Sequence, residues 1–192
     1  MENYKKKIVL ITGCSGFVGF HISKFLLENK WEVVGIDALT SYYDVSYKKK
    51  RQQILENFSN FKVFNEKIEK DNLIDEIFKN YRPSIVLHLA AQAGVRYSIE
   101  HSDTYLNSNL IGTHKVLEAS KKYKVEHLLM ASSSSVYGAN KSLPFDELQK
   151  CDLPLSFYAA TKKANENMAH AYSHLFSIPI TMFRFFTVYG PW

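Results

Sequence analysis

The stretch that decides the fold is Ile8-Val9-Leu10-Ile11-Thr12-Gly13-Cys14-Ser15-Gly16-Phe17-Val18-Gly19, near the start of the chain. Its β-branched run predicts a buried strand, its three glycines predict a tight turn, and the spacing of apolar residues over 21–27 predicts a helix. Glycine permits the close approach of another backbone or of a ligand. Because free N–H groups and the helix dipole point over the turn, an anion is favoured there.

The glycine turn alone fits either a plain strand-to-helix connection or a phosphate site. Asp37 favours the phosphate site, because it closes the next predicted strand (residues 31–36) at roughly the twenty-residue distance where a carboxylate meets an adenosine ribose. No arginine directly follows Asp37, which favours NAD over NADP. The turn and Asp37 together predict a dinucleotide site.

The composition is that of an ordinary soluble protein of one domain. The chain has 192 residues, of which 46% are hydrophobic and 22% are charged. No apolar run reaches the length of a membrane span, and residues 1–7 lack the apolar stretch of a secretory signal. We therefore expect a cytoplasmic protein with no membrane partner.

The net charge of +5 comes from lysines scattered in pairs and triplets. Such groups are typical of solvated faces, whereas a nucleic-acid binder concentrates its cations on one element, so no nucleic-acid partner is expected. An anionic small-molecule substrate fits the charge equally well. The two cysteines, Cys14 and Cys151, have neither a disulfide framework nor metal-ligand spacing, and no metal site is predicted. Cys14 is interpreted as a small filler residue in the turn.

Strands and helices alternate along the rest of the chain. Further strands are predicted at residues 61–64, 84–89, 126–130 and 178–184, and helices at 47–57, 71–78, 102–123 and 156–171, with Asp71 as a helix cap. This alternation predicts an α/β fold, a doubly wound (Rossmann-like) parallel sheet with helices on both faces, over residues 1–192. His88, at the end of the fourth strand, is interpreted as a core histidine.

Ligands of such sheets lie beyond the carboxyl ends of the strands. The small residues Ala90-Ala91, the serine run 132–135 and Phe186-Thr187 all follow predicted strands. The alanines are explained equally well by a cofactor lying against the backbone or by close helix packing. The sequence thus predicts that these residues share one edge with the glycine turn and Asp37.

Tyr158 and Lys162 lie four residues apart on a predicted helix and so share one face. A lysine ammonium can stabilise a tyrosine as phenolate. Since a free tyrosine titrates near ~10, a base acting at neutral pH needs a pKa lowered by about three units, or roughly 4 kcal/mol. Alone the spacing is common on amphipathic helices, but beside a dinucleotide turn it indicates a catalytic pair.

Taken together, these motifs resemble the extended short-chain dehydrogenase/reductase family, and within it the nucleotide-sugar epimerases. The segments most similar to UDP-glucuronate 4-epimerases are residues 91–98, 131–138, 158–166 and 184–192. The resemblance implies NAD-dependent 4-epimerisation of a nucleotide sugar, UDP-glucuronate to UDP-galacturonate, through a transient 4-keto intermediate. It also implies a homodimer formed through the helices near Ser102–Tyr123 and Ser156–Ala171.

The resemblance assigns a role to each matching residue. It implies Ser133, Tyr158 and Lys162 as catalytic residues. It implies substrate contacts from Arg96, Ser133, Ser134, Ser135 and Thr187. It implies NAD contacts from Gly13, Ser15, Gly16, Phe17, Val18, Gly19, Asp37, Ile68, Leu89, Ala90, Ala91, Asn109, Tyr158 and Lys162. Related dehydratases carry an acidic pair where Ser134 and Ser135 stand, so elimination is disfavoured.

Two departures from the family pattern stand out. Lys67 occupies the place before Ile68 where the family has an aspartate that meets the adenine. The chain also stops at Trp192, before the family's second, substrate-binding region. We therefore interpret it as C-terminally truncated and expect turnover to be impaired. The alternatives are a catalytically inactive NAD-binding remnant or fragment and, more weakly, a reductase or dehydratase of the same family.

Overall fold

The computed structural model describes residues 7–192, so the expectation that the first six residues carry no leader lies outside the described part. A six-stranded sheet forms the centre of the fold. Its strands are β1 (Ile8–Thr12), β2 (Glu32–Ile36), β3 (Phe61–Phe64), β4 (Ile85–His88), β5 (His127–Ala131) and β6 (Ile180–Phe183). The helices are α1 (Phe17–Glu28), α2 (Val45–Glu56), α3 (Leu73–Tyr81), α4 (Tyr97–Glu100), α5 (Ser102–Tyr105), α6 (Gly112–Tyr123) and α7 (Phe157–Phe176).

The strand order is β3-β2-β1-β4-β5-β6, and every neighbouring pair is parallel. This confirms the doubly wound sheet predicted from the alternation of strands and helices. Thr12 lies opposite Ile36 on one side and His88 on the other. The carboxyl ends of β1, β2 and β4 are therefore level, and the loops that follow them emerge at one edge.

The alternation of side chains along β1 divides the core into two layers. Val9 and Ile11 pack with α1 and α2 on one face, whereas Leu10 packs with α3, α6 and α7 on the other. Leu10 and Ile11 are both fully buried, and burying a side chain of this size contributes roughly 1.5–3 kcal/mol. Both faces of the strand are covered, as its unbroken apolar run predicts.

The β4–β6 half of the sheet is covered less completely. On the α1 face, an apolar groove of about 400 Å³ runs between α1 and these strands. It is lined by Val9, Ile22, Leu26, Trp31, Ile85, Leu87, Leu129, Phe183 and Phe185. Within residues 7–192, no helix fills this groove.

Residues 102–123, predicted as one helix, consist of α5, a π-helical turn (Leu106–Ile111) and α6. A π turn widens a helix by one residue per turn and occurs frequently at functional sites. Here it carries Asn109, which is fully buried. The spacing of apolar residues could not reveal this turn, because it changes the period for only one turn.

The helix cap assigned to Asp71 is wrong. Helix α3 begins at Leu73, and Asn72 precedes it with a φ of 61° and no side-chain cap. The Asp71 carboxylate instead accepts a hydrogen bond from Lys115 Nζ at 2.7 Å. The Asp71 carboxylate therefore pairs with a lysine of α6 and does not cap α3.

Candidate functional site

The glycine turn is built so tightly that two of its glycines cannot carry a side chain. Gly13 has a φ of +77°, and a Cβ there would lie 2.9 Å from the backbone nitrogen of Ala90. A Cβ on Gly19 would lie 2.1 Å from the carbonyl oxygen of Gly13. Since α1 begins at Phe17, the N–H groups of its first turn have no partners within the helix. The turn therefore presents backbone donors without any side chain in front of them.

Asp37 stands beside this turn, as the sequence predicted. Its Oδ2 accepts the N–H of Ser15 at 3.0 Å, and its Oδ1 accepts the N–H of Leu39 at 2.9 Å. The carboxylate is 7% exposed, so it is held firmly at the end of β2. Two carboxylate oxygens have more acceptor positions than these two donors use, so the group retains capacity for a ligand hydroxyl.

The Cys14 side chain fills space within the turn. A Cβ on Gly35, in the adjacent strand, would lie 2.5 Å from Cys14 Sγ, so the thiol occupies the space that this glycine leaves. Burial, together with the nearby charge of Asp37, raises the pKa of the thiol to about 12. The expectation of a filler residue is confirmed.

A cleft of about 580 Å³ opens above the turn, between the loops that follow β1, β2, β3 and β4. Of the predicted cofactor residues, it is lined by Gly13, Gly16, Phe17, Val18, Gly19, Asp37, Ile68, Leu89, Ala90 and Ala91. Lys67 also lines it, at the place where the family pattern has an aspartate. The small residues of the β4 loop thus lie against the cleft, as a bound cofactor would require.

Two predicted cofactor residues lie behind the cleft wall. Ser15 is fully buried, and its hydroxyl donates to Gln52 Oε1 at 3.2 Å. Asn109 is fully buried as well, and its amide bonds to the backbone N–H and carbonyl of Gln92 and to Thr161 Oγ1. The structure thus does not bring these side chains into the cleft. They hold in place the loops that line it.

Helix α2 contributes to the cleft, which the sequence pattern did not indicate. Lys48 and Arg51 line the cleft, together with Thr40 and Tyr43 from the preceding loop. The lysine triplet 48–50 is typical of a solvated face, but Lys48 is only 8% exposed. The available signal was the spacing of Lys48, Arg51 and the buried Leu55, three and then four residues apart, which places all three on one face of the helix.

Ser133, Tyr158 and Lys162 come together at the carboxyl end of β5, outside the enclosed cleft. Ser133 follows β5 and is 8% exposed, while Tyr158 lies in the first turn of α7. The Ser133 hydroxyl lies close enough to the Tyr158 phenol to lower the pKa of that phenol. The phenol ring also meets Tyr105 edge-on, with ring centroids 6.0 Å apart. The serine and the tyrosine that were predicted to act together are therefore neighbours in the folded chain.

The expected lowering of the Tyr158 pKa by Lys162 is not found. Burial raises the pKa of the phenol above its ordinary value, and the nearby Ser133 hydroxyl opposes this only in part. Lys162 Nζ donates instead to the carbonyl oxygen of Ala131 at 2.9 Å. Because the ammonium is almost fully buried, its pKa falls to about 8. The protein scaffold by itself thus keeps the phenol protonated.

The predicted substrate residues divide into two groups. Ser134 and Ser135 begin a 3₁₀ turn (Ser134–Tyr137) after β5, and the N–H of Ser135 donates to Ser133 Oγ at 3.1 Å. Thr187 is exposed on the segment that follows β6. Arg96 is exposed just before α4, and its side chain makes no hydrogen bond or ion pair with the residues described. The hydroxyls therefore cluster near the β5 and β6 ends, whereas Arg96 remains separate.

A partly buried ion pair that the sequence did not predict fixes this end of the sheet. Glu166 of α7 accepts two hydrogen bonds from Arg184, at 2.9 and 3.0 Å, and one from Ser132 at 2.7 Å. Burial alone would raise the pKa of Glu166, but the bonds from Arg184 and Ser132 outweigh it and lower that pKa. The pair ties β5, β6 and α7 together directly behind Ser133.

His88 is a core histidine, as predicted. It is 4% exposed, with Nδ1 2.7 Å from Thr12 Oγ1 and Nε2 2.9 Å from Thr113 Oγ1. Burial lowers its pKa to about 3, so the ring is neutral near pH 7.

Among residues 7–192, no group of three His, Cys, Asp or Glu side chains could hold a metal ion. In the same range, every helix is too short or too polar to cross a membrane.

Residues 10–192 match the family described as GDP-mannose 4,6-dehydratase. The chain belongs to this family, a branch of the extended short-chain dehydrogenases/reductases, and its Rossmann-like sheet is the fold of epimerase structures. It is 48% identical over 183 residues to a probable UDP-glucuronate 4-epimerase of Rhizobium meliloti, covering 95% of this chain and 54% of that protein. It is 46% identical to UDP-glucuronate 4-epimerase 4 of Arabidopsis thaliana, covering 96% of this chain and 42% of that protein.

Solved structures give the same assignment. UDP-glucuronic acid 4-epimerase from Bacillus cereus, in complex with UDP-glucuronic acid and NAD, superposes with a TM-score of 0.89 at 37% identity, over 96% of this chain and 58% of that one. UDP-glucose 4-epimerase from Thermotoga maritima, with UDP-glucose, gives a TM-score of 0.84 at 32% identity over 96% and 57%. The chain thus spans about half the length of the relatives it matches. The resemblance to nucleotide-sugar epimerases stated from the motifs is confirmed.

Proposed function

We propose that residues 1–192 form the NAD-binding domain of a nucleotide-sugar 4-epimerase that interconverts UDP-glucuronate and UDP-galacturonate. The observation that carries this proposal is that the Ser133 hydroxyl lies near the Tyr158 phenol, at the same sheet edge as the glycine turn and Asp37. Relatives named as UDP-glucuronate 4-epimerases, at 44–48% identity, support the choice of sugar.

The cleft has the features that NAD requires. Gly13 and Gly19 leave no Cβ between the backbone donors of the turn and a pyrophosphate, which suits the start of α1 for these phosphates. Asp37 keeps acceptor capacity for a ribose hydroxyl, and Ala90 and Ala91 leave room beside the β4 loop. Ser15 and Asn109 act one layer behind, by holding the loops that line the cleft.

Bound NAD would supply reversible hydride transfer at C4 of the sugar and a positively charged ring that favours the phenolate of Tyr158. Tyr158 would take the proton of the 4-hydroxyl and later return it. Ser133 would donate a hydrogen bond to the 4-oxygen while the transient 4-keto sugar rotates in the pocket to present its other face. Lys162, which now donates to the Ala131 carbonyl, would contact the nicotinamide ribose.

Hydroxyl groups would bind the carboxylate of the sugar. Ser134, Ser135 and Thr187 supply three such groups near the β5 and β6 ends, and Arg96 would reach the substrate from the loop before α4. Residues 134 and 135 are serines where related dehydratases have an acidic pair. Without a carboxyl group at these positions to protonate a leaving hydroxyl, epimerisation is favoured over elimination.

A second candidate is a chain that binds NAD without turning over a sugar. The observation in its favour is that Ser133, Tyr158 and Lys162 lie outside the walled cleft. A sugar placed over them would contact solvent on its outer side unless further protein covers it. In that case hydride transfer would lack the exclusion of water on which such chemistry depends.

One experiment separates the two candidates. The purified chain is analysed for bound NAD and then assayed with UDP-glucuronate, with the two UDP-sugars separated by chromatography. Retained NAD and formation of UDP-galacturonate by the parent chain would support the epimerase. The Tyr158→Phe variant should then retain NAD but form no product. Retained NAD without product would support the binding-only chain, and absence of NAD binding would contradict both.

We also propose a homodimer formed through residues 102–123 and α7. Leu106 and Ile111 are 40% and 46% exposed on the π-helical turn and its end, which leaves apolar surface for a partner helix. Sedimentation velocity of the chain at micromolar concentration tests this, and a monomer throughout that range would contradict it.

Two buried free thiols, Cys14 and Cys151, are consistent with the proposed cytoplasmic location, which cell fractionation would test.

A further inference from the structure

Helix α2 presents two cations to the cleft. Lys48 and Arg51 lie three residues apart, so they share a face, and both line the cleft. Lys49 and Lys50, between them, are exposed on the opposite side of the helix. A run of four basic residues is thereby divided by the helical period into an inward pair and an outward pair.

The Arg51 side chain reaches from α2 to the glycine turn. Its Nη1 donates to the carbonyl oxygen of Ser15 at 3.4 Å, and its guanidinium lies 5.7 Å above the ring of Phe17. Its Nη2 donates to the backbone oxygen of Trp192. The Nε–H is buried without any hydrogen-bond partner. The guanidinium thus lies against the turn with donor capacity unused.

The Lys48 side chain, like that of Arg51, is held by hydrogen bonds to uncharged oxygens. Its Nζ donates to the carbonyl oxygen and to Oγ1 of Thr40, at 3.0 and 3.2 Å. Neither Lys48 nor Arg51 is within ion-pair distance of an Asp or Glu side chain in the described part of the chain. Asp37 attracts both cations from further away.

Burial without a counter-ion has an energetic cost. It lowers the pKa of Lys48 and of Arg51, and the charge of Asp37 offsets this in part. A partly desolvated cation is stabilised most by an anion with several acceptor oxygens, and the planar guanidinium of arginine matches a phosphate group. The start of α1, beside Arg51, favours an anion for independent reasons.

We propose that Arg51, assisted by Lys48, binds the phosphates at the adenosine end of the dinucleotide. This inference rests on the proposed NAD binding and adds to it a residue from α2. Arg51 would complete the phosphate site from its position against the glycine turn. The unused Nε–H and the neighbouring Nη groups would then donate to phosphate oxygens.

The test measures the affinity of ADP, which carries the adenosine and two phosphates, by calorimetric titration at 50 and 300 mM NaCl. Arg51→Met should weaken ADP binding roughly tenfold at the lower salt, since a charge-assisted bond to phosphate is lost. Arg51→Lys should recover part of the loss. Lys50→Met, on the outer face of the same helix, removes the same charge from the chain and should change the affinity less than twofold.

The salt dependence distinguishes a phosphate contact from a structural role. Salt should weaken the binding of ADP to the parent chain more steeply than its binding to Arg51→Met. The reason is that salt screens the contact between Arg51 and phosphate, which only the parent chain makes. An unchanged ADP affinity in Arg51→Met, or an equal salt dependence in both chains, would overturn the inference. If the parent chain binds NAD but Arg51→Met binds ADP equally well, only this inference fails. If the parent binds neither, the proposed function fails with it.

Discussion

The β1–β3 half of the sheet and the β4–β6 half differ in how completely the chain covers them. Around β1–β3, α1 and α2 cover one face and the loops beyond the strands enclose a cleft of about 580 Å³. Around β4–β6, α6 and α7 cover one face, while the other carries an apolar groove. Ser133 and Tyr158, at the β5 end, lie outside the cleft.

This difference shows that nucleotide binding and catalysis depend on different structural features, although both sites lie at the same edge of the sheet. The half that fits a nucleotide is walled by residues of this chain, so its donors and its carboxylate are held in place. The half that carries the serine–tyrosine pair is held from behind, by Glu166 and Arg184, but is open in front. Variants in the two halves should therefore change different measurements.

The largest effect is expected from Gly19→Ala in the walled half. Its Cβ would lie 2.1 Å from the Gly13 carbonyl oxygen, which is backbone and can move only if the whole turn moves. NAD affinity, measured by calorimetric titration, should fall by at least about 100-fold, equivalent to roughly 2.8 kcal/mol. Circular dichroism would check that the chain still folds.

Gly16→Ala is the matched control in the same turn. A Cβ there would lie 3.1 Å from the same oxygen, a contact that a shift of a few tenths of an ångström relieves. The loss of NAD affinity should stay below about tenfold. Equal losses in the two variants would show that the cleft does not depend on the close approach of α1 to the turn.

An intermediate effect is expected at His88, where the two halves meet. The pKa of the folded-state imidazole is about 3, below its ordinary value of 6.5, so the unfolded chain binds more protons between these limits. The free energy of unfolding should therefore decrease as the pH falls below about 6.5, by up to ~1.4 kcal/mol per pH unit from this group. Urea unfolding at several pH values between 7 and 4.5 measures it.

His88→Asn should flatten this dependence, because it removes the group that gains a proton on unfolding. His174→Asn, at an exposed position on α7, serves as the control and should leave the slope as in the parent chain. If His88→Asn retains the full slope, protonation of another group would have to account for it.

The smallest effect is expected from Tyr158→Phe on cofactor binding. The phenol lies outside the walled cleft, so NAD affinity should change less than about twofold, while any epimerisation should be abolished. Titration of NAD into both chains measures it. A loss of affinity above fivefold would mean that the two halves of the edge are energetically coupled.

The sequence was sufficient for the fold and for much of the site because the relevant signals are local. Apolar runs and turn residues predicted all six strands, and the glycine turn with Asp37 predicted where a nucleotide would lie. The errors have a common cause: Asp71 was assigned to a helix cap, whereas Lys115 from a distant helix pairs with it. Contacts between distant segments are absent from local patterns.

By itself, the sequence determined the parallel sheet, the level carboxyl edge and the residue types gathered there, because hydrophobic period and glycine spacing act over a few residues. Only the tertiary structure decided which side chains face the cleft. It placed Ser15 and Asn109 behind the wall and brought Lys48 and Arg51 into it. It also raised the pKa of Tyr158 by burial where an adjacent lysine had been expected to lower it. Burial and charge depend on everything that packs around a group, and that packing exists only in the folded chain.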